Sequence, residues 1–360
     1  FVRKSIENGI DIIRIFDALN DMRNIRTAVD ECLKAGGHAQ GTICYTLSPI
    51  HNLEMYVGLG KEIEAMGCNS LCIKDMAGIM SPKECFDLVS ALKAEIKLPI
   101  YVHTHATTGL GAMTYLKAAE AGAAGIDCAT SCFAGGTSQP ATESLTYTLS
   151  QMGFDCGVDR DVLKKVNDYF VPIRDKFIAE GTLDPYVLGT KADALTYQIP
   201  GGMLSNLVAQ LKAQNALDRL DEVLLETPRV RRDLGYPPLV TPLSQMVGVQ
   251  ATVNVLVGER YKNVGKEIKA YIRGEYGKAP GPIDPALAAK VLGDEKPMTG
   301  RFAETIAPEF PEAEKYLGER AQSEEDVLSY IAFPQQAEQY FAKRDSEKPL
   351  KATYSIKEVQ

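Results

Sequence analysis

Short β-branched apolar runs alternate with amphipathic stretches through the first part of this chain. The runs are Ile10 to Asp17, Gln40 to Thr46, Ser70 to Asp75, Ile100 to His105 and Gly125 to Ser131, and each leads into a polar residue and a loop. Between them, Asn52 to Met66, Pro82 to Ile96 and Leu110 to Ala121 repeat apolar residues at helical spacing. Gly36, Gly67 and Gly122 mark helix ends. Strand, helix, strand at this interval predicts parallel βα units.

Five such units are present, with polar residues at the carboxyl ends of the strands, where barrels keep their chemistry. A closed barrel needs eight, and the chain opens in a helical stretch at Phe1, so about three leading units are expected to be missing. The fold expected is α/β: a partial TIM (β/α)8 barrel lacking its first strands, with a helical C-terminal extension. An open doubly wound sheet is the competing architecture, but no GxGxxG follows the first strand to mark a dinucleotide site.

After Ser150 the strand signal fades. Asp159 to Glu180, Gly201 to Glu226 and Thr241 to Glu259 read as long helices, separated by Ile199-Pro200-Gly201-Gly202, Gly235-Tyr236-Pro237-Pro238 and Ala279-Pro280-Gly281-Pro282. The organisation expected is a partial barrel over 1–152, a helical extension closing the barrel mouth over 153–300, and a charged, more loosely packed tail over 301–360.

Composition narrows the function. At 45% hydrophobic and 24% charged, this is ordinary globular chemistry. A formal charge of −8 argues against nucleic acid as a partner and leaves a small molecule as the expected substrate. No apolar run reaches membrane length and the start lacks a secretory pattern, so a cytoplasmic location is expected. The eight cysteines show no CxxC pair and read as free, buried thiols in a reducing compartment.

His103-Thr104-His105 carries the strongest chemical signal. The chain has only four histidines, and two share one face of one strand at i and i+2. They make half a metal site, or else two core histidines satisfied by backbone groups. Asp17, Asp75 and Thr137 also end strands or begin loops at this face. Asp75 has the opposite parity to Lys74 and reads as a loop cap rather than a catalytic group. Gly135-Gly136-Thr137-Ser138-Gln139-Pro140 reads equally as an anion cradle or a tight turn.

Arg14-Ile15-Phe16-Asp17, Gln40-Gly41-Thr42-Ile43-Cys44-Tyr45-Thr46, Lys74-Asp75-Met76-Ala77-Gly78, His103-Thr104-His105, Ile199-Pro200-Gly201-Gly202 and Val240-Thr241-Pro242 follow in order. Together they resemble the biotin-dependent carboxyltransferase family, which includes pyruvate carboxylase, the oxaloacetate decarboxylase alpha subunit and the pyruvate-binding subunit of transcarboxylase. The resemblance covers nearly the whole chain. It implies carboxyl transfer between carboxybiotin and pyruvate or oxaloacetate.

The resemblance also assigns roles. The strand period puts Lys74 with Ser70 and Cys72, opposite Leu71 and Ile73, where burial should lower its pKa. The family carries a carbamylated lysine on its metal, which makes Lys74 the candidate beside His103 and His105; pairing of Lys74 with a carboxylate is the alternative. Two imidazoles and a carbamate oxygen suit zinc, with cobalt or manganese also possible. The family's fourth ligand, an aspartate, and the arginine and glutamine that hold the keto acid are expected in the missing leading strands. A chain without them should be inactive alone.

Thr241 is the implied proton carrier between the keto acid methyl and the biotin ring nitrogen, and Ser244 the implied cofactor contact. The same residues can cap the following helix, with Thr241 as N-cap and Pro242 at N1. Where pyruvate carboxylases tend to have Ser-Ser-Lys after the proline, this chain has Leu243-Ser244-Gln245. That departure favours the decarboxylase or transcarboxylase branch, with the keto-acid-carboxylating subunit of a pyruvate carboxylase as the alternative.

No Ala-Met-Lys-Met site is present, so biotin is expected on a separate carrier domain or subunit. A homo-oligomer is expected, with membrane-bound decarboxylase subunits as further partners. A barrel lyase or synthase of the isopropylmalate synthase and hydroxymethylglutaryl-CoA lyase type also uses HxH for metal, but Lys74 argues against it. A non-catalytic assembly scaffold is disfavoured by the joint presence of Lys74, His103, His105 and Thr241. Expressed alone, residues 1–360 are expected to aggregate or bind a hydrophobic dye, because an open barrel exposes a strand edge and its interior. A sharp cooperative melt without dye binding would overturn the fragment reading.

Overall fold

Five parallel strands form one sheet in sequence order: β1 (Ile12–Ile15), β2 (His38–Cys44), β3 (Ser70–Asp75), β4 (Ile100–Thr104) and β5 (Gly125–Ile126). The computed structural model describes residues 1–192, 194–197 and 199–346. The expected strand of Gly125 to Ser131 shortens to two residues, followed only by a bridge between Ala129 and Ala141.

Helices connect and follow the strands: α1 (Val2–Glu7), α2 (Met22–Lys34), α3 (Leu53–Ala65), α4 (Pro82–Glu95), α5 (Gly111–Glu120) and α6 (Thr142–Gln151). The expected helix starts rest on side-chain caps. Asn52 accepts from the Met55 N–H at 2.9 Å, and Ser81 with Glu84 closes a capping box around Pro82.

Strand parity divides the sheet into two chemistries. Ile13, Ile15, Ala39, Ile43, Leu71, Ile73, Ile100 and Val102 pack with the helices in the main core. Each fully buried aliphatic side chain there contributes about 1.5–3 kcal/mol. Arg14, Gln40, Thr42, Cys44, Ser70, Cys72, Lys74, Tyr101 and His103 have the opposite parity. The register aligns Arg14 with Gln40, Cys44 with Lys74, and Lys74 with His103.

The loop motif after β3 has a steric reason. Asp75 is buried on the helix side, where its carboxylate accepts from Ile79 N at 3.1 Å, Met80 N at 2.8 Å and Thr104 Oγ1 at 2.8 Å. Asp75 therefore caps its loop, as its parity suggests. Gly78 has φ +68°, and a Cβ on it would lie 2.5 Å from the His105 carbonyl oxygen. The end of the Lys74 strand thus rests directly on the strand that carries the histidines.

The second half is helical: α7 (Arg160–Ala179), α8 (Ala194–Tyr197), α9 (Gly201–Ala213), α10 (Leu220–Asp233), α11 (Leu243–Val257), α12 (Lys266–Ile272), α13 (Pro285–Leu292), α14 (Phe310–Leu317), α15 (Glu324–Ala332) and α16 (Pro334–Ser346). The single helix expected over Gly201 to Glu226 is two. Asn215 takes φ +53° between them, a left-handed position that asparagine tolerates. The second of the pair then runs through Pro228 to Asp233.

Leu19, from the loop after β1, joins Ile199, Met203, Val230, Leu239 and Leu243 in a second core. Arg231 of α10 donates to Thr46 Oγ1 at 2.7 Å, fixing the extension to the loop after β2. The expected loose tail differs as well. Within 310–346, α14 to α16 bury Ala313, Leu317, Val327, Ala337 and Phe341 in a small core of their own. This unit reaches α1 through Arg3–Glu324 at 2.8 Å and Lys4–Glu324 at 3.3 Å. The rest of that segment, 347–360, lies outside the described residues. Among the described residues, no helix is long and apolar enough to cross a membrane.

Tyr115 of α5 pins the end of β4. Its buried hydroxyl accepts from Thr104 N at 2.9 Å and donates to the Asp127 carbonyl at 2.5 Å. Tyr115→Phe keeps the ring but leaves both backbone groups unpaired. A loss of about 1–3 kcal/mol is expected, read as a lower urea midpoint; an unchanged midpoint would refute the role.

Candidate active site

The polar face of the sheet gathers its functional groups at the carboxyl ends of β3 and β4. Lys74 and His103 are register partners, and His103 and His105 stand with ring centroids 5.1 Å apart, edge to face. The sequence-derived trio is therefore assembled in space by strand geometry alone.

Each imidazole is oriented through Nδ1. His103 donates to Asp127 Oδ2 at 2.7 Å, and His105 to the Thr137 carbonyl at 2.5 Å. A carboxylate and a carbonyl can only accept, so both Nδ1 atoms carry a proton, which in a neutral imidazole leaves the lone pair on Nε2. This is how ligating histidines are held by their outer partners. The Gln139 amide approaches His103 Nε2 at 3.4 Å. Burial lowers the His105 pKa to about 4 against the opposing hydrogen bond to Thr137, with His103 and Lys74 adding to the fall. Its imidazole is neutral at physiological pH.

Lys74 lacks the carboxylate that the alternative reading required. Its Nζ lies 3.7 Å from the centroid of the Phe16 ring, and no ion pair or hydrogen bond holds it among the described residues. Cys44 and Cys72 flank it, but burial pushes both thiols up to about 12, so they supply no negative charge. Burial drives the Lys74 pKa below its ordinary value; the two cysteines oppose this and Arg14 adds to it. The amine form is thereby brought closer to neutral pH.

Arg14 and Asp127 are the site residues that sequence reasoning did not assign. Arg14 Nη1 meets Asp127 Oδ2 at 2.5 Å, and Arg14 Nε donates to Gln40 Oε1 at 2.6 Å. Burial tends to raise the Asp127 pKa, but His103 and Arg14 hold it down at about 2. The available signal was parity: Arg14 lies between Ile13 and Ile15, and so on the side opposite the apolar core. Asp17 instead serves its own loop, accepting from Leu19 N at 2.9 Å and Asp21 N at 3.0 Å.

The Gly135–Pro140 segment is a tight turn. Gly135 N and Ser138 N bond within it and Thr137 N reaches Val187 O, so these N–H groups are already used. Its contribution to the site is the Thr137 carbonyl that orients His105.

Thr241 and Ser244 lie at the start of α11. Thr241 is exposed and joined to Pro242 by a cis peptide bond. The cap differs from expectation, because Pro242 occupies the N-cap and α11 begins at Leu243 without a side-chain cap. Ser244 is buried, with its N–H on the Val240 carbonyl at 3.0 Å. No hydrogen bond or ion pair links either residue to Lys74, His103 or His105 among the described residues.

Two His Nε2 lone pairs and one uncompensated lysine fit a divalent metal held partly by a modified lysine. Among the described residues, His, Cys, Asp and Glu alone form no group of three that could hold one. Lys74, if it became an oxygen ligand, would add a third donor to the two imidazoles.

Comparison with known proteins gives the same direction. A family profile described as HMGL-like matches residues 18–169, and one described as a conserved carboxylase domain matches residues 194–359. A pyruvate carboxylase subunit of Methanocaldococcus jannaschii is 53% identical over 338 residues, covering 93% of this chain and 59% of that protein. The methylmalonyl-CoA carboxyltransferase 5S subunit of Propionibacterium freudenreichii subsp. shermanii is 42% identical over 356 residues, covering 96% of this chain and 68% of that one. The carboxyl transferase domain of Rhizobium etli pyruvate carboxylase, solved with pyruvate, superposes with a TM-score of 0.90 at 28% identity, covering 97% of this chain and 62% of that chain. The chain spans about three fifths of the length of the first two curated relatives it matches. With an inward lysine beside paired histidines, and carboxyltransferase chains matching more than nine tenths of its length, the chain belongs to the biotin-dependent carboxyltransferase family.

Proposed function

We propose that this chain carries carboxyl transfer between carboxybiotin and the pyruvate–oxaloacetate pair. The observation that carries the proposal is the inward Lys74, with no ion pair among the described residues, beside two imidazoles that both engage their outer partners through Nδ1. A structural lysine would not be left so. His103 and His105 would hold a divalent metal through Nε2, and Lys74 through a carbamate oxygen. For the carbamate, the neutral amine forms an N–C bond to CO2 and releases a proton.

When bound, the metal supplies a Lewis acid near the keto acid. Zinc is the metal we favour, with cobalt or manganese compatible with the same donors. Asp127 and Thr137 keep the imidazoles in the tautomer that ligation needs. Arg14, paired with Asp127 on the same face, adds a cation where an anionic keto acid would sit. Thr241 moves the proton between the keto acid methyl and the biotin nitrogen, and its exposed turn leaves the hydroxyl open to a carrier domain arriving from outside.

Leu243-Ser244-Gln245 supports the decarboxylase or transcarboxylase branch, as in the oxaloacetate decarboxylase alpha subunit. A second reading, carboxylation of pyruvate within a pyruvate carboxylase of separate subunits, is favoured by the 53% identity to an archaeal pyruvate carboxylase subunit. Biotin arrives on a separate domain or subunit. Eight unpaired cysteines support a reducing, cytoplasmic setting.

Elemental analysis of the intact protein should find about one divalent ion per chain, lost in His103→Ala and in His105→Ala. Full metal in both variants would sink the proposal. The Thr241 role is tested separately. Thr241→Ala should slow carboxyl transfer by roughly 10² to 10⁴ at normal metal content, and Thr241→Ser should retain much of the rate. Turnover of Thr241→Val near the parent rate would remove Thr241 from the chemistry.

A further inference from the structure

The outer face of the partial barrel meets the extension around a cavity of about 520 Å³. Arg23 and Arg26 of α2, Glu62 of α3, and Arg301 and Glu304 of the returning segment line it. It lies on the helix side of the sheet, away from the face that carries Lys74.

The three guanidiniums are not equally engaged. Arg23 is held by Asp21 at 2.8 and 2.6 Å and by the Thr299 carbonyl at 2.8 Å. Arg26 is exposed and makes no ion pair or hydrogen bond among the described residues. The Arg301 side chain is 20% exposed, and its nearest carboxylate, Glu304, stands off at 3.6 Å. Its Nε is buried with no acceptor among the described residues.

A guanidinium N–H stripped of water and given nothing in return is a loss that native structures normally repair. Glu304 is too distant to repair it. Asp21 neutralises Arg23, and the two glutamates balance the other arginines. The cavity therefore recognises by hydrogen-bond geometry rather than by net field. The planar fork of Arg301, with Arg26 free beside it, matches the paired oxygens of a carboxylate or phosphate.

We propose that this cavity is a binding site for a small oxyanion, carboxylate or phosphate, held by Arg301 and Arg26 and displacing Glu304. Because Arg23 already holds Thr299, a ligand on Arg301 ties the 299–304 segment to α2 at a second point. Occupancy thus fastens the extension to the barrel without touching the metal-site residues.

The test is a thermal-shift and calorimetric titration of the intact protein with sodium phosphate and with sodium succinate, against sodium chloride at matched ionic strength. A saturable rise in melting temperature with phosphate or succinate, and not with chloride, is expected; the anion that acts identifies the ligand class. Arg301→Gln and Arg26→Gln should each weaken it about tenfold or more. Arg26 is exposed, so its variant keeps the test valid if Arg301→Gln folds poorly. Equal shifts from all three salts, no saturable shift, or a wild-type response in Arg26→Gln would overturn the site.

Discussion

Arg14 and Asp127 join the two ends of the sheet across its concave face. One leaves the first strand and the other follows the last, so their contact at 2.5 Å requires the curl that distinguishes a barrel wall from an open sheet. A half-buried ion pair repays its desolvation only when its remaining atoms are also used. Here they are: Arg14 gives Nε to Gln40, and Asp127 also accepts from His103. The curvature of the sheet and the tautomer of a candidate ligand are therefore one constraint.

The rest of the site follows from which way each strand residue points. On the helix side, Leu71, Ile73 and Val102 make a core in which Asp75 survives because three donors meet it. On the opposite side, one peptide away, Lys74 meets an aromatic ring and two neutral thiols. The same strand thus stabilises the fold with one set of side chains and withholds compensation from another. That withheld charge is the chemical resource the site offers.

Local signals in the sequence were sufficient where short-range physics decides. Asn52 and Pro82 placed helix starts, and the parity of Ser70 to Asp75 placed Lys74 and Asp75 on opposite faces. The failures share a different cause. Arg14 and Asp127 lie far apart in sequence, and no local pattern states that they meet. The break at Asn215 lacks a Gly or Pro signal, because asparagine entered the left-handed region unannounced. The segment around Leu317 and Phe341 was read by its charge. Its few apolar residues meet only once α14 to α16 fold against one another. At Thr241, a Thr-Pro pair resembled a cap, but the helix starts one residue later than a cap at that position allows.

The two-faced strands make chain length a stricter constraint than residue identity. Within β3, a leucine can stand for Ile73 at modest cost in packing. Deleting one residue ahead of Lys74 is a different event: it turns the ammonium into the aliphatic layer and delivers Ile73 to the site. Insertions and deletions should therefore collect in the loops that precede each strand, while the strands themselves diverge by substitution alone.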